Sequence, residues 1–343
     1  VRILLCAPFE LDAPRGNSVA ARRLADGFAA LGHPTRILDR CETADPVEAL
    51  PLLDAFRPDV LLFLHAGRCA RHFQAFRPRS AAPMVVSMRG TDVHLMPARA
   101  SDGTLIGQVL DGCQAVTVFS DEMRAALHRR WPGSARKVRL IPNGLSLPDS
   151  ATDYRARLGL ETAQPVLVCL AGIRRVKRLP WLVRSLARLQ AAHPGLVLLH
   201  AGPPLEPRET GVLARLAGAH PWFQSLGTVP HAEVAALLRA GDVYVSASHS
   251  EGMPHSVREA MSLGRPLLLS DNPGHRAMAA GEQEALFFRD RATLLAQGGR
   301  LLAEPELRRR LGLAARQRVE RERFQEREIE LYLALFRQLL EPI

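Results

Sequence analysis

Two carboxylates eight positions apart mark the stretch "SEGMPHSVRE", Ser250 to Glu259. A strand-like run, "DVYVSAS" (242–248), comes before it, and a helix-like run, "SVREAMSLG" (256–264), begins inside it. Glu251 is therefore expected in the loop at the carboxyl end of a strand, and Glu259 within the next helix. Gly252 allows close approach of a ligand to the main chain. Pro254 suits the first turn of a helix, where a missing N–H costs little. The amino end of that helix offers free N–H groups and positive dipole character to a phosphate. A carboxylate accepts two hydrogen bonds, and a ribose presents two adjacent hydroxyls. One acid can hold a sugar being moved and the other the ribose of its nucleotide. An acid that merely answers the helix dipole, followed by a solvated Glu, fits the same spacing.

A cationic stretch complements the acids. "GIRRVKR" (172–178) follows the apolar run "VLVCLAG" (166–172). A glycine exit with Arg174 and Lys177 at a helix start suits a diphosphate. Lys177 and Lys137 are the chain's two lysines, and every other of the 45 basic residues is arginine. A cationic surface loop is the other reading in so arginine-rich a chain.

The elements that must position these groups alternate along the chain. In the first half, strand patterns occur at 2–8, 35–39, 60–65, 83–88, 115–120 and 138–142. Amphipathic segments such as "SVAARRLADGFAALG" (18–32) lie between them, apolar residues recurring at near-helical spacing. This is the βαβ rhythm of a parallel sheet. Residues 143–165 are rich in turn formers and read as a linker. The rhythm restarts with strand patterns at 166–172, 196–202, 223–227, 243–248 and 266–271. The expectation is an α/β protein of two Rossmann-like doubly wound domains, residues 1–147 and 148–325. In such sheets ligands bind beyond the carboxyl ends of the strands, which places the active site in a cleft that the two sheets face. The segment 320–340 reads as one amphipathic helix, and residues 326–343 are expected to pack back on the N-terminal domain.

Bulk properties narrow the classes. No apolar run reaches the roughly 18 residues of a spanning helix, and "VRILLCAPFE" reads as a strand and not a signal peptide. A cytoplasmic location is the expectation. The five cysteines, at 6, 41, 69, 113 and 169, show no CxxC spacing, which argues against a zinc cluster. Cys6 and Cys169 fall in apolar runs and should be buried and inert. The net charge of +10 fits a phosphate-bearing or membrane-surface partner as well as a solvated arginine surface. The arginines are spread out and aromatics make up 5% of the chain, so nucleic acid is not the expected partner.

The acid pair in "SEGMPHSVREAM" resembles the E-x7-E signature of the retaining GT-B glycosyltransferases of family 4, and Arg174 with Lys177 resembles that family's diphosphate clamp. "PDVLLFLHAGR" (58–68), "RGTDVH" (89–94) and "IPNG" (141–144) resemble its other landmarks in the usual order, over nearly the whole chain. Within the family, "RGNSVAARR", "GTDVHLMP", "IGQVLDGCQAVTVFSDEM", "GIRRVK" and "SEGM…EAM…PGH" resemble the glycosyltransferase 1 domain-containing protein 1 type. A more distant likeness is to the selenosugar synthases, whose acid signature usually reads Glu-Gly-Gly where this chain has Glu251-Gly252-Met253.

The resemblance implies a GT-B fold and transfer of a sugar from a nucleoside diphosphate sugar, a UDP-sugar favoured, with retention of configuration. It implies that Glu251 contacts the transferred sugar, that Gly252 and Met253 offer main-chain N–H groups, and that Glu259 binds the ribose. Arg174 and Lys177 neutralise the departing diphosphate. The family's Arg usually follows the Gly directly; here Ile173 stands there, so Arg174 is preferred over Arg175 without the choice being closed. His65 is expected to face the donor sugar, or to be a strand-end His with a satisfied hydrogen bond. Gly16 and Asn17, ending the loop "FELDAPRGN", are expected near the diphosphate and acceptor, or as a turn and helix cap. Val229, in "GTVPHAEV", is expected by the nucleobase. Gly90, Thr91 and Asp92 touch the acceptor or make a turn. Asp271 and Gly274 have an equal claim to a structural role.

No metal or cofactor is expected beyond the nucleotide sugar as co-substrate. His249, Glu251 and His255 lack the HExxH spacing. The partners expected are that donor and an acceptor that is either a small molecule or lipid-linked, the latter with peripheral membrane contact. Selenium or sulfur is the alternative nucleophile. A nicotinamide dehydrogenase would want GxGxxG after the first strand, where this chain has a long loop poor in glycine. A basic nucleic-acid-binding protein and a non-catalytic nucleotide-sugar binder are the rivals from other classes.

Overall fold

The computed structural model describes residues 1–343 except 14–15, 95, 97–99, 146, 252–253, 280, 323 and 342–343; the side chains of 94, 322 and 324–326 also lie outside the description. The chain divides into two compact units, Val1–Ser146 with Phe324–Ile343, and Leu147–Arg323.

Unit 1 runs β1 (Ile3–Cys6), α1 (Gly16–Ala30), β2 (Thr35–Leu38), α2 (Leu50–Phe56), β3 (Val60–Leu64), α3 (Ala70–Phe76), β4 (Met84–Ser87), α4 (Thr91–His94), α5 (Ala100–Gly112), β5 (Ala115–Val118), α6 (Asp121–Arg130) and β6 (Val138–Leu140). Unit 2 runs α7 (Tyr154–Arg157), β7 (Val166–Leu170), α8 (Leu179–Ala192), β8 (Val197–Ala201), α9 (Pro207–Ala219), β9 (Phe223–Ser225), α10 (Val234–Ala240), β10 (Val243–Ser246), α11 (His255–Ser262), β11 (Leu267–Ser270), α12 (Pro273–Met278), β12 (Ala285–Phe288), α13 (Arg291–Ala303) and α14 (Pro305–Glu322). The chain then returns to unit 1 as α15 (Phe324–Leu340).

Each unit holds one six-stranded sheet, all pairs parallel, in the orders β2-β1-β3-β4-β5-β6 and β12-β11-β10-β7-β8-β9. Parallel strands covered by helices on both faces are buried on both faces. The four residues of β1 and the five of β3 are accordingly buried. The strand order reverses between β1 and β3 in unit 1 and between β7 and β10 in unit 2. Such a switch point opens a crevice at the carboxyl ends of the two central strands.

Two readings of the sequence change. The run "ALFF" of β12 pairs with β11 from Leu267↔Ala285 to Ser270↔Phe288; four residues between Glu284 and Arg289 are too short a run to show a period. Most of the stretch read as a linker is folded into unit 2. Tyr154 is buried, with its hydroxyl 2.5 Å from Glu233, and Arg155 bonds to the carbonyls of Ala240, Glu161, Thr162 and Gln164 and to Asp242. The helix read over 320–340 covers the end of α14 and most of α15; residue 323 between them lies outside the described residues, and there the chain passes from one unit to the other.

Helix α15 is bound into unit 1 by packing and by charge. Phe28 of α1 meets the rings of Tyr332 and Phe336 at centroid separations of 6.2 and 5.7 Å. Arg23 and Glu328 form a bidentate buried pair, and the Tyr332 hydroxyl bonds to Thr117 and Ser87. All five cysteines are free and buried; burial pushes the thiol of Cys6 well above its ordinary pKa and that of Cys169 up to about 12. Among the described residues no helix is long and apolar enough to cross a membrane, and no group of acids, histidines and cysteines is arranged to hold a metal.

Candidate functional site

The switch point of unit 2 gathers the charged residues singled out in the sequence. After β7 the chain passes through Arg174, a 3-10 turn at Arg175–Lys177, and Arg178 in the left-handed region before α8 begins. After β10 the next loop is tied to that turn by the main-chain bond from His249 to Val176, 2.8 Å. This link sets Lys177 beside Glu251, Nζ 2.5 Å from Oε1, both side chains mostly buried. Burial pushes the Glu251 carboxyl up, but the charge and hydrogen bond of Lys177 and a bond from Ser248 outweigh it, so its pKa lies below the ordinary glutamate value. Glu251 is thus an anion at neutral pH, already oriented.

Arg174 and Arg175 part ways. Arg175 is exposed, and its main-chain N–H donates to Glu206. Arg174 is half-buried, and its Nε is buried without a hydrogen-bond partner among the described residues. A buried donor left unmatched costs about 1–3 kcal/mol, so Arg174 is the residue of the two that a ligand would satisfy.

Helix α11 starts at His255 after Pro254, with no side-chain cap and no acid in its first turn. The amino end of such a helix carries positive dipole character that favours an anion. Glu259, one turn in, is nearly buried, with Oε1 3.4 Å from His231 Nε2. His231 opens the 3-10 turn after β9, and the half-exposed Val229 lies two residues before it. Tyr244 of β10 spans the switch point, its hydroxyl 2.8 Å from Ser256 Oγ and 3.4 Å from the Leu170 carbonyl. Gly252 and Met253 lie outside the described residues.

A buried polar layer lies under Glu251. Ser270 Oγ and Asn272 Nδ2 donate to the Ser248 carbonyl at 2.6 and 3.0 Å, and Asn272 caps α12 through the His275 N–H. His275 has no exposed surface, its Nδ1 is 2.8 Å from the Ser270 carbonyl, and its Nε2 has no partner among the described residues. Burial lowers its pKa, and the charges of Glu251 and Lys177 also act on it. Gly274 is there because nothing larger fits: a Cβ on it would lie 2.1 Å from the Glu251 carbonyl oxygen. Asp271 is occupied structurally by Arg276 and Arg289.

Unit 1 places its residues at its own switch point. Gly16 and Asn17 form the first turn of α1, not the loop before it. His65 directly follows β3 with φ +119°, a region that costs a non-glycine residue about 1–3 kcal/mol. The Arg68 N–H donates to its Nδ1 at 3.2 Å, which leaves Nε2–H to donate to Thr91 Oγ1 at 2.8 Å. The ring is fully buried, with both nitrogens engaged, so His65 directs the Thr91 hydroxyl and presents no free nitrogen of its own. Asp92 is likewise buried, its oxygens accepting from the main chain of Ala66 and Arg89. That makes Asp92 a brace under the loop, whereas Gly90 and Thr91 keep exposed surface.

Sequence reasoning gave no role to four residues here: His231, His275, Arg89 and Asn143. Arg89 donates from Nε to Asn17 Oδ1, 3.3 Å, and from Nη1 to Asn143 Oδ1, 2.8 Å. The signal for it was position alone, next to "GTD" in a chain crowded with arginine.

Two family models match the chain, "Glycosyltransferase Family 4" over residues 43–148 and "Glycosyl transferases group 1" over residues 150–318. Glycosyltransferase 1 domain-containing protein 1 of Xenopus tropicalis is 28% identical over 335 residues, covering 95% of each chain. The sucrose-phosphate synthase of Thermosynechococcus elongatus superposes with a TM-score of 0.81 at 21% identity, covering 99% of both chains. Anabaena HepE, solved with UDP and glucose, superposes with a TM-score of 0.78 at 14% identity, covering 97% of this chain and 99% of that one. With two parallel doubly wound units, the acid pair and the family matches in register along its length, the chain belongs to the GT-B glycosyltransferases of the family 4 and group 1 type.

Proposed function

We propose that the protein moves a sugar from a nucleoside diphosphate sugar to an acceptor nucleophile with retention of anomeric configuration. The observation that carries this reading is the Lys177–Glu251 pair at the β7/β10 switch point, with Glu259 eight residues on at the head of α11. Glu251 would hold hydroxyls of the sugar, and Glu259, set by His231, would hold the ribose. Val229 and its loop would lie along the base, with the main chain at Gly252 and Met253 beside the donor.

Charge builds on the diphosphate as the glycosidic bond breaks. Arg174, Lys177 and the uncapped N–H groups of α11 are fixed donors for that charge, and preorganised donors in a site of low polarity lower the barrier. The reading includes independence from metal, because these cations supply the balancing charge. In the step proposed, the acceptor oxygen bonds to the anomeric carbon on the face the diphosphate leaves. The bond to the diphosphate oxygen breaks with its electron pair, and the acceptor proton passes to that phosphate. Gly16, Asn17, Gly90 and Thr91 would border the acceptor, with His65 and Asp92 bracing them.

UDP is the favoured nucleotide, supported by its presence in the HepE structure. A cytoplasmic location belongs to the same proposal. No observation favours a selenium or sulfur nucleophile over an alcohol. The test is a thermal-shift panel of nucleotides and nucleotide sugars on wild type and Glu259→Ala. A ligand that binds the native state raises its Tm by mass action. A UDP- or GDP-sugar should stabilise wild type and lose that effect in the variant. No shift from any nucleotide, with a shift from duplex DNA, would sink the reading.

A further inference from the structure

We propose that the acceptor is a small anionic molecule and that Arg89 holds its phosphate or carboxylate group. This rests on the glycosyl-transfer reading and adds the acceptor's chemical class.

Arg89 follows β4 at the carboxyl end of the unit 1 sheet. Its guanidinium bonds within the protein to two neutral amides, Asn17 and Asn143. Among the described residues no carboxylate forms an ion pair with it. The carboxylates nearby are committed elsewhere: Glu328 to Arg23 through two oxygens, Glu42 to Arg68, and Asp92 to two main-chain N–H groups. Burial pushes the Arg89 pKa down, yet arginine does not give up its proton in proteins. The result is a half-buried cation without a direct counter-charge among the described residues, an arrangement that an arriving anion would improve.

The geometry suits an oxyanion. Five N–H donors lie on a rigid planar fork that matches phosphate and carboxylate. Nε and Nη1 are anchored by the two asparagines, which fixes the plane, and Nη2 makes no bond among the described residues. A Cβ built on Gly16 or on Gly90 would meet no atom within 4 Å among the described residues, so neither glycine is closed in. Two residues along the chain from Arg89 is the Thr91 hydroxyl. It accepts from His65 Nε2, so its own proton is left to donate outward. An acceptor gripped at its anionic end by Arg89 would have a hydroxyl steered by Thr91. That hydroxyl oxygen bonds to the anomeric carbon, and its proton leaves with the diphosphate. A neutral side chain could tie Asn17 to Asn143 equally well, so the half-buried charge calls for another reason.

The test is calorimetry on the full chain with sn-glycerol 3-phosphate, D-glycerate and glycerol, on wild type, Arg89→Gln, Arg89→Lys and Lys177→Ala, alongside the Tm rise given by UDP. One or both anions should bind wild type and glycerol should not; the two anions distinguish phosphate from carboxylate. Arg89→Gln should weaken the anion at least tenfold, Arg89→Lys less so, and Lys177→Ala hardly at all. An unchanged UDP shift in Arg89→Gln shows that the fold and donor site persist. Glycerol binding as well as the anions, no anion binding, or an affinity indifferent to Arg89→Gln overturns the proposal. Loss of the UDP shift in both Arg89→Gln and Lys177→Ala also overturns it, because Arg89 would then serve the donor's diphosphate. If wild type shows no UDP shift but binds anions through Arg89, the donor reading fails and the anion site stands.

Discussion

Lys177 Nζ lies 2.5 Å from Glu251 Oε1 at the point where the unit 2 strand order reverses. Each residue comes from a different loop, and the main-chain bond between His249 and Val176 holds those loops together. The pair is therefore a product of the sheet topology, set before any ligand arrives. A ligand diphosphate would compete for Lys177 and free a Glu251 oxygen for a sugar hydroxyl, so binding of the two halves of the donor should be coupled.

The pair has a pH signature. The folded-state pKa of Glu251 is depressed, so the unfolded chain takes up its proton first as pH falls. Its contribution to stability is present above the unfolded glutamate value of about 4.3 and is lost as pH falls through the folded pKa. In Lys177→Met burial is opposed only by the Ser248 bond and the His275 charge, so the Glu251 pKa should rise. The stabilising contribution then shrinks, and stability near pH 7 should fall by about 3 kcal/mol or less, the carboxyl taking up a proton to limit the cost. Urea unfolding of wild type and variant between pH 3 and 7 checks this. Parallel curves would show that the contact contributes nothing.

Gly274→Ala should be more damaging than its size suggests. The added methyl would sit 2.1 Å from the Glu251 carbonyl oxygen, so one of the two loops must move. Overpacking of this kind costs about 1–3 kcal/mol, and a displacement near 1 Å at a reacting group costs roughly 100-fold in rate. The expected result is a fall in kcat of that order with a Tm lowered by several degrees. A variant with wild-type kcat would show that the Glu251 loop is not positioned by this contact.

His231 is expected to act through Glu259. In His231→Leu the carboxylate loses the neighbour 3.4 Å away, and nucleotide binding should weaken several-fold. Binding lost equally from the ground state and the transition state raises KM and leaves kcat. Donor kinetics decide it, and a fall in kcat at constant KM would remove His231 from this role.

The fold was largely legible because buried parallel strands leave dense apolar runs such as "VLLFL" and "VLVCL". "ALFF" of β12 was missed because four residues hold too little pattern, although its neighbour β11 makes it a strand. Within the site, Glu251, Glu259 and Lys177 were legible because acids at helix-and-loop spacing, and a rare lysine, stand out. His275 and Arg89 were not, since their meaning comes from burial and from partners distant in sequence. The same limit applied to His65, whose strand-end position was readable while the capture of both ring nitrogens by Arg68 and Thr91 was not.

Acid should weaken the protein well before its carboxylates titrate. His65, His200 and His275 are buried, and burial lowers each pKa below the ordinary value of 6.5. The unfolded chain therefore binds protons first as pH drops through about 6.5, and stability falls with it, by up to about 1.4 kcal/mol per pH unit for each histidine. His200 bonds to Ser225 and to the Ala171 carbonyl, away from Glu251. His200→Gln should flatten the slope between pH 5 and 6.5 without changing donor affinity, whereas His275→Asn should flatten the slope and lower activity. Equal slopes in wild type and both variants would show that these rings protonate freely in the folded state.

The Arg23–Glu328 pair lends itself to a double-mutant cycle. Both side chains are buried, 2% and 1% exposed, and they join α1 to α15 across 305 residues of sequence. Removing one partner strands the other charge in the core, so Glu328→Ala should cost about 3–5 kcal/mol. Replacing both partners by apolar residues of similar length removes the charge with its counter-charge, and such replacements are often neutral or stabilising. Arg23→Met with Glu328→Met should therefore recover most of what either single variant loses. Urea unfolding of the four proteins gives the coupling free energy directly. Single losses that simply add would show that the pair is not one unit. Recovery in the double variant would show that the ions direct where α15 docks while the rings of Phe28, Tyr332 and Phe336 hold it there.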